Sequence, residues 1–383
     1  MSASLPEPDE QERLYSGRLV EVIRHVIEAN SGAIDFSRFM AAALYTPGLG
    51  YYTGGRQKFG PGGDFITAPE LGDVFARLLA RPCADILEVI GNGNLLEAGA
   101  GSGRLAATLL TELERLGRLP EHYYILDVSS ELRARQAELL KRVVPSLAGR
   151  VEWLSELPKR FRGVVLANEL LDALPVERFC IQNKEVRQQQ VALKKNQLIW
   201  AERPADEVIR ARIAPLSLPD GYCSEIGLAA EAWTRSIADV LEQGVALFID
   251  YGFPRAEFYH PQRTTGTLMC HYRQRAHGDP LILAGLQDIT AHVDFTAIAA
   301  AGTGTGLDLL GYTSQAAFLI GCGLEDIMAD PAMPDATRLR LANEINRLTS
   351  PAEMGELFKV MVLGRGIENP LRGTGRQDRR GRL

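Results

Sequence analysis

Apolar and polar positions change period several times along the chain, and each change marks an element. Between Leu14 and Ala29 apolar residues fall at Leu19, Val22, Ile23, Val26 and Ile27, a helical spacing. Asp35 is placed to cap a second helix from Phe36 to Leu44. A stretch dense in Gly, Pro and aromatic residues follows, Tyr45–Tyr52 and then Gly60–Glu70. Stiff loops of that length inside a compact domain are more often functional than accidental. The plainer reading is a lid that only covers the core. Leu71–Val89 reads as helix. Short apolar runs then predict strands at Asn94–Glu97, Tyr123–Asp127, Val151–Leu154, Gly163–Glu169, Val245–Asp250, Leu307–Tyr312 and Phe358–Leu363. Helices are expected after the first, at Arg104–Leu110, and at Ser129–Val143, Glu225–Leu241 and Val293–Ala301, with another capped by Thr313 or Ser314. Alternation of this kind implies an α/β fold, a mostly parallel sheet of seven strands with right-handed crossovers and helices on both faces.

Two stretches interrupt the alternation. Cys180–Glu202 is polar and alternating, with a turn near Lys194–Gln197, and reads as an inserted hairpin. Tyr251–Thr290, rich in Gly, Pro, His and Arg, is a second insertion. The expected organisation is an N-terminal helical segment and lid loop over 1–70. A main domain follows over 71–366, with insertions at about 180–224 and 251–290. A basic tail over 367–383, with five arginines from Arg372 onward, is expected to be disordered.

Bulk composition narrows the classes. The 383 residues carry a net charge of −6, so no excess of Lys and Arg is available for nucleic-acid phosphates. No apolar run reaches the length of a membrane span. The acidic, Pro-bearing start Met1–Glu10 is neither a signal nor a transit peptide, and points to the cytoplasm. Cys83, Cys180, Cys223, Cys270 and Cys322 are scattered without a Cys-x-x-Cys pair. Reduced, mostly buried thiols are therefore expected, with neither a disulfide framework nor a zinc site. His271 and His277 lack metal-like spacing, and no metal is expected.

The chemistry concentrates where an apolar strand runs into three glycines, Glu97-Ala98-Gly99-Ala100-Gly101-Ser102-Gly103, followed by a helix. Glycines there permit positive φ and a close ligand approach, and the helix N-terminus favours an anionic group. Two readings compete. Gly101-x-Gly103-x-x-Ala106 satisfies a relaxed dinucleotide fingerprint. Glu97-x-Gly99-x-Gly101-x-Gly103 satisfies the acid-first form used for S-adenosylmethionine (SAM). Asp127, closing the second strand, suits a ribose under either reading. Asn168-Glu169-Leu170-Leu171-Asp172-Ala173-Leu174-Pro175 closes the fourth strand with polar groups where a methyl-transfer site would lie, which favours SAM. Asn168 and Asp172 read as plain helix caps are the structural alternative.

The sequence resembles the MidA-like family of SAM-dependent methyltransferases, whose mitochondrial members act in respiratory complex I assembly as protein arginine methyltransferases. The resemblance is carried by Gly50-Tyr51-Tyr52, Gly63–Glu70, Glu97–Gly103, Asn168–Pro175, Asp250-Tyr251-Gly252, Gly266-Thr267-Leu268, Gly285–Phe295, Gly311–Gln315 and Met354–Lys359. It extends over about residues 31–366. Ala100 and Ser102 stand where the family usually has Pro and often Arg, and Asp127 where Glu is commoner; the glycines are kept.

The resemblance implies a class I Rossmann-like methyltransferase that binds SAM. Gly99, Gly101 and Gly103 would line the methionine end, with Glu97 orienting the loop or the amino group. Asp127 would hold the ribose, and Trp153 and Leu154 would flank the adenine, although Trp153 fits plain core equally. Asn168 would serve both cofactor and transfer site. An arginine acceptor stays protonated and calls for carboxylates. Glu169 is the first candidate and Asp64 the second, with Asp172 and Glu70 also available and His292 a conceivable base. The expected partner is a protein substrate, a respiratory complex I subunit by analogy with relatives. Two other readings remain: a non-catalytic SAM-binding assembly factor, and an NAD-dependent oxidoreductase, disfavoured because no hydride-site constellation follows the glycines.

Overall fold

The computed structural model describes residues 5–54, 67–329, 331, 333–368 and 370–383. The chain divides into two compact units. The first is Met1–Phe65, Asp172–Ala230 and Arg255–Asp294; the second is Ile66–Leu171, Glu231–Pro254 and Phe295–Leu383. The N-terminal segment and both insertions thus contribute to one unit rather than decorating the other separately.

In the first unit the expected opening helix runs Glu10–Glu28. Asp9 and Glu12 close a capping box at its start, and Leu19, Ile23 and Ile27 face the core. The helix Phe36–Tyr45 follows. Asp35 holds its cap position but makes no capping bond; its carboxylate accepts instead from Gln190 at 2.9 Å and from Arg203 at 3.1 Å. Strands Ala33–Asp35, Glu185–Lys194, Glu177–Gln182 and Cys223–Ile226 pair in that order, and Gln197–Pro204 forms the expected hairpin on Glu185–Lys194. Lys195 and Asn196 make its turn with φ of 50° and 65°, the left-handed pair that matches strand twist.

Two expectations fail here. Glu225 does not start a helix: Cys223–Ile226 is a strand, and the helix is Leu228–Val240, most of it assigned to the other unit. The thiols are not all reduced: Cys180 and Cys223 form a disulfide, while Cys83, Cys270 and Cys322 are free and buried. Forty-three residues separate the pair in sequence. Antiparallel pairing makes them direct register partners, which spacing along the chain could not reveal.

The second unit holds the sheet. Its strands are β1 (Asn94–Ala98), β2 (Tyr123–Leu126), β3 (Val151–Leu154), β4 (Phe161–Asn168), β5 (Leu241–Phe253), β6 (Asp308–Ser314) and β7 (Phe358–Arg365). They are hydrogen-bonded in the order β6-β7-β5-β4-β1-β2-β3. The pairs β5–β4, β4–β1, β1–β2 and β2–β3 are parallel; β5–β7 and β7–β6 are antiparallel. This is the mostly parallel sheet read from the sequence. Its central strands are largely apolar because both faces are covered, with the buried carboxylates Glu97 and Asp250 as exceptions. Leu95, Ile125, Val164, Leu166, Val245 and Leu247 pack with the helices Val74–Ile90 and Arg104–Arg115 in one core. The single helix expected over Leu71–Val89 is two, Ala68–Leu71 and Val74–Ile90.

The basic tail expected to be disordered is placed on the edge strand β6. The Arg379 N–H donates to the Tyr312 carbonyl at 2.7 Å, and the Thr313 hydroxyl donates to the carbonyls of Arg376 and Gln377. Arg372 pairs with Asp85 at 2.7 Å, and Arg379 pairs with Glu356. Charge composition argued for disorder; the unpaired polar edge of β6 gives the tail partners composition cannot register.

Candidate functional site

Strand order reverses between β1 and β4, where chain connections leave in opposite directions. In open parallel sheets, ligands bind outside the carboxyl ends at such a switch point. Register brings those ends level: Ala98 opposite Leu126 and Ala167, and Leu126 opposite Leu154. The segments leaving the four strands therefore line one edge.

After β1 the chain turns through Gly99, Gly101 and Gly103, with φ of 72°, 53° and 83°. Such values are strained for other residues. The Gly103 N–H closes the turn on the Ala100 carbonyl at 2.8 Å and the helix Arg104–Arg115 begins directly behind it. A Cβ at Gly103 would lie 3.2 Å from Gln136, and one at Gly99 would lie 3.0 Å from the Leu170 side chain across the switch point. Ser102 donates its hydroxyl to Glu70, tying the loop to the helix Ala68–Leu71.

Glu97 lies inside β1, buried, and accepts from the Tyr123 hydroxyl at 2.6 Å. Burial pushes its carboxyl up to about 7; the Tyr123 hydrogen bond opposes this and the nearby Asp127 adds to it. Asp127, just past β2, is also buried. Its Oδ1 accepts the Ser129 N–H at 2.9 Å, and its Oδ2 accepts from Gln136 Nε2 at 2.9 Å. Arg133 donates to the carbonyls of Asp127 at 2.6 Å and Leu154 at 2.7 Å, fastening the ends of β2 and β3 together. Trp153, on β3, donates its indole N–H to Gln136 Oε1 at 2.9 Å and packs on the core. Beside Asp127, Val128 is 69% exposed and offers an apolar face at the same edge.

After β4, Asn168 donates from Nδ2 to Glu169 Oε1 at 3.2 Å. Its buried Oδ1 has no hydrogen-bond partner among the described residues. An unsatisfied buried acceptor is costly and calls for a donor from outside the protein. Glu169 takes φ of 51°, uncommon for a residue with a Cβ. Its N–H is held by the Ile249 carbonyl at 2.9 Å, and Oε1 also accepts the Ala68 N–H at 3.3 Å. Buried Asp250, on β5, accepts the Leu171 N–H at 2.9 Å and fixes the turn from the other side.

The second unit thus brings together Glu97, Gly99, Gly101, Gly103, Asp127, Trp153, Leu154, Asn168 and Glu169. Asp172 belongs to the first unit, buried, where its carbonyl accepts the Ala291 N–H at 3.0 Å. There the Tyr52 hydroxyl donates to Asp288 at 2.9 Å. Burial first, then Asp288 and Asp172, hold that phenol protonated well above its usual range. His292 donates its backbone N–H to the Thr267 hydroxyl at 3.1 Å. Asp64 and the loop around it lie outside the described residues. Among the described residues no group of three or more His, Cys, Asp or Glu could hold a metal. Gln136 and Val128 escaped the sequence reading. The one trace of Gln136 was an amide in line with Leu132 and Leu140 on the buried face of the helix Ser130–Val143.

The family profile described as "Putative S-adenosyl-L-methionine-dependent methyltransferase" matches residues 78–313. The chain belongs to that family. This methyltransferase is 49% identical to a Burkholderia thailandensis protein whose crystal structure holds S-adenosyl-homocysteine, with a TM-score of 0.95 over 99% of this chain and 100% of that one. It is also 28% identical to the mitochondrial protein arginine methyltransferase NDUFAF7 of Bos taurus, over 89% of this chain and 83% of the relative. The Drosophila melanogaster homolog is 28% identical over 94% and 88%. Fold, SAM dependence and the MidA-like resemblance read from the sequence are upheld, and the NAD-dependent oxidoreductase is set aside.

Proposed function

We propose that this methyltransferase places a methyl group on an arginine side chain of a protein partner. When bound, SAM supplies an electrophilic methyl on a sulfonium; every other requirement falls on the chain. The residues fit that group. Three positive-φ glycines leave backbone open to the methionine end, and the orphaned Asn168 Oδ1 is an acceptor for an ammonium. Glu97, ionised, adds a compensating charge. Asp127 is the acceptor for the ribose hydroxyls, with Val128, Trp153 and Leu154 toward the adenine.

Transfer itself is a matter of alignment: the sulfur–methyl bond breaks, its electron pair staying on sulfur, as the nitrogen–methyl bond forms, and the nitrogen then gives up a proton to solvent. The guanidinium is a permanent cation with a planar fork, so its natural counterpart is a carboxylate. Glu169 fills that part, its carboxylate oriented by Asn168 and Ala68 at the end of a central strand. Asp64 and Asp172 are further candidates for the acceptor side. The observation that carries the arginine reading is that the relatives are protein arginine methyltransferases, taken with Glu169. By the same resemblance the partner is a respiratory complex I subunit; no helix of the described residues is long and apolar enough to cross a membrane.

Isotope-labelled SAM with a cell extract, followed by peptide mass spectrometry, should place label on arginine. An E169Q variant should lose about 100-fold or more in turnover while binding S-adenosyl-homocysteine within about threefold of wild type. Label on lysine or on small molecules alone, or an unimpaired E169Q, would sink the proposal. Cells without the gene, compared with cells carrying E169Q, separate the enzyme from a SAM-binding assembly factor.

A further inference from the structure

Gln136 is fully buried and touches three separate segments of the cofactor edge. Nε2 donates to the Gly101 carbonyl at 3.0 Å and to Asp127 Oδ2 at 2.9 Å. Oε1 accepts from the Trp153 indole at 2.9 Å. Both amide N–H groups and the carbonyl are thereby used, and no charge is introduced. Its Cα, Cβ and Cγ also fill the space beneath Gly103, where a Cβ would come within 3.2 Å.

The consequence for Asp127 is geometric. Ser129 N–H holds one carboxylate oxygen and Gln136 holds the other. The plane of the group is fixed from both sides. The same amide sets the height of the Gly101 carbonyl and the tilt of the Trp153 ring. A buried side chain that satisfies itself on these three groups couples the glycine turn, the ribose acceptor and the adenine wall into one rigid frame.

We propose that Gln136 is a positioning residue for the cofactor, aligning Asp127 with the ribose diol while locking Gly101 and Trp153 to it. The inference rests on the reading of Asp127 as the ribose acceptor. It predicts that Gln136 governs discrimination at the ribose rather than bulk stability.

The test is calorimetric, on the full chain. Wild type, D127N, Q136M and Q136E are titrated with S-adenosyl-homocysteine and with its analogue lacking both ribose hydroxyls. Wild type should prefer the natural ligand by about tenfold or more, and D127N should lose that preference. Q136M keeps volume without the amide. It should bind S-adenosyl-homocysteine about tenfold or more weakly, with preference over the analogue reduced to within about threefold. A structural role alone would weaken both ligands equally. If Q136M does not fold, the near-isosteric Q136E keeps the packing but sets a second carboxyl against Asp127, and it should show the same loss of discrimination. Full discrimination in a folded Q136M or Q136E, with D127N impaired, would overturn the role of Gln136. Full discrimination in D127N would overturn the ribose reading beneath it.

Discussion

At the residue scale the sharpest consequence belongs to Glu97. Its carboxyl is pushed from the ordinary 4.5 to about 7, chiefly by burial. Between those values the native protein binds more protons than the unfolded chain, so stability falls as pH rises through that window. The loss amounts to about 3 kcal/mol. Denaturant melts of the ligand-free protein at about pH 5 and about pH 8 should show wild type losing ground to E97Q at the higher pH. Parallel behaviour of the two would mean that Glu97 ionises without penalty. Cofactor binding should run the other way. Ionised Glu97 is the form that suits an ammonium, so wild-type affinity for S-adenosyl-homocysteine should weaken as pH drops below about 7, and E97Q should be flat. Asn168 is a second point of strain: its orphaned oxygen is tolerable if a bound donor satisfies it. N168A should therefore cost about tenfold or more in affinity while leaving the melting temperature nearly unchanged.

At the element scale, the switch point depends on how closely β1, β4 and β5 begin side by side. Gly163 and Gly244 sit at the starts of the pairings with φ of 140° and 133°. A Cβ at Gly163 would come within 1.8 Å of the Asn94 carbonyl oxygen, and one at Gly244 within 1.9 Å of that of Gly163. No rotamer change relieves a clash with backbone. G163A should cost more than about 3 kcal/mol and reduce soluble yield. G149A, where nothing lies within 4 Å, should fall within about 0.5 kcal/mol of wild type by thermal melting. The glycines of the turn act more locally. G103A meets the backbone Cα and the side chain of buried Gln136 at 3.2 Å and must hold φ near 83°. It should lose cofactor affinity before it loses the fold.

At the scale of the whole molecule, the Cys180–Cys223 bond lies in the first unit and the cofactor residues in the second. Thiol titration of the unfolded, unreduced protein should count three free cysteines. A C180S/C223S variant should lose about 2–4 kcal/mol of stability yet keep its affinity for S-adenosyl-homocysteine. The alternation of apolar runs already specified the sheet: each central strand stood where expected, because strands buried on both faces are apolar over most of their length. The glycines, Asp127 and Asn168-Glu169 were legible for a related reason. Positive φ, and polar groups at strand ends, demand particular residue types wherever they occur. What the chain order could not express was pairing between distant segments. Cys180 and Cys223 became neighbours through strand register, Asp35 gave up its cap to Arg203, and the arginine-rich tail found the open edge of β6. Gln136 makes the same point at the site itself. Periodicity could mark it only as an amide on a buried helix face. Packing of that helix against the ends of three strands brought its hydrogen-bonding groups to Gly101, Asp127 and Trp153. Sequence alone determined the cofactor class and the sheet that carries it, because both rest on local residue chemistry. Tertiary structure decided which side chains hold the cofactor residues in place, because that depends on contacts no spacing along the chain encodes.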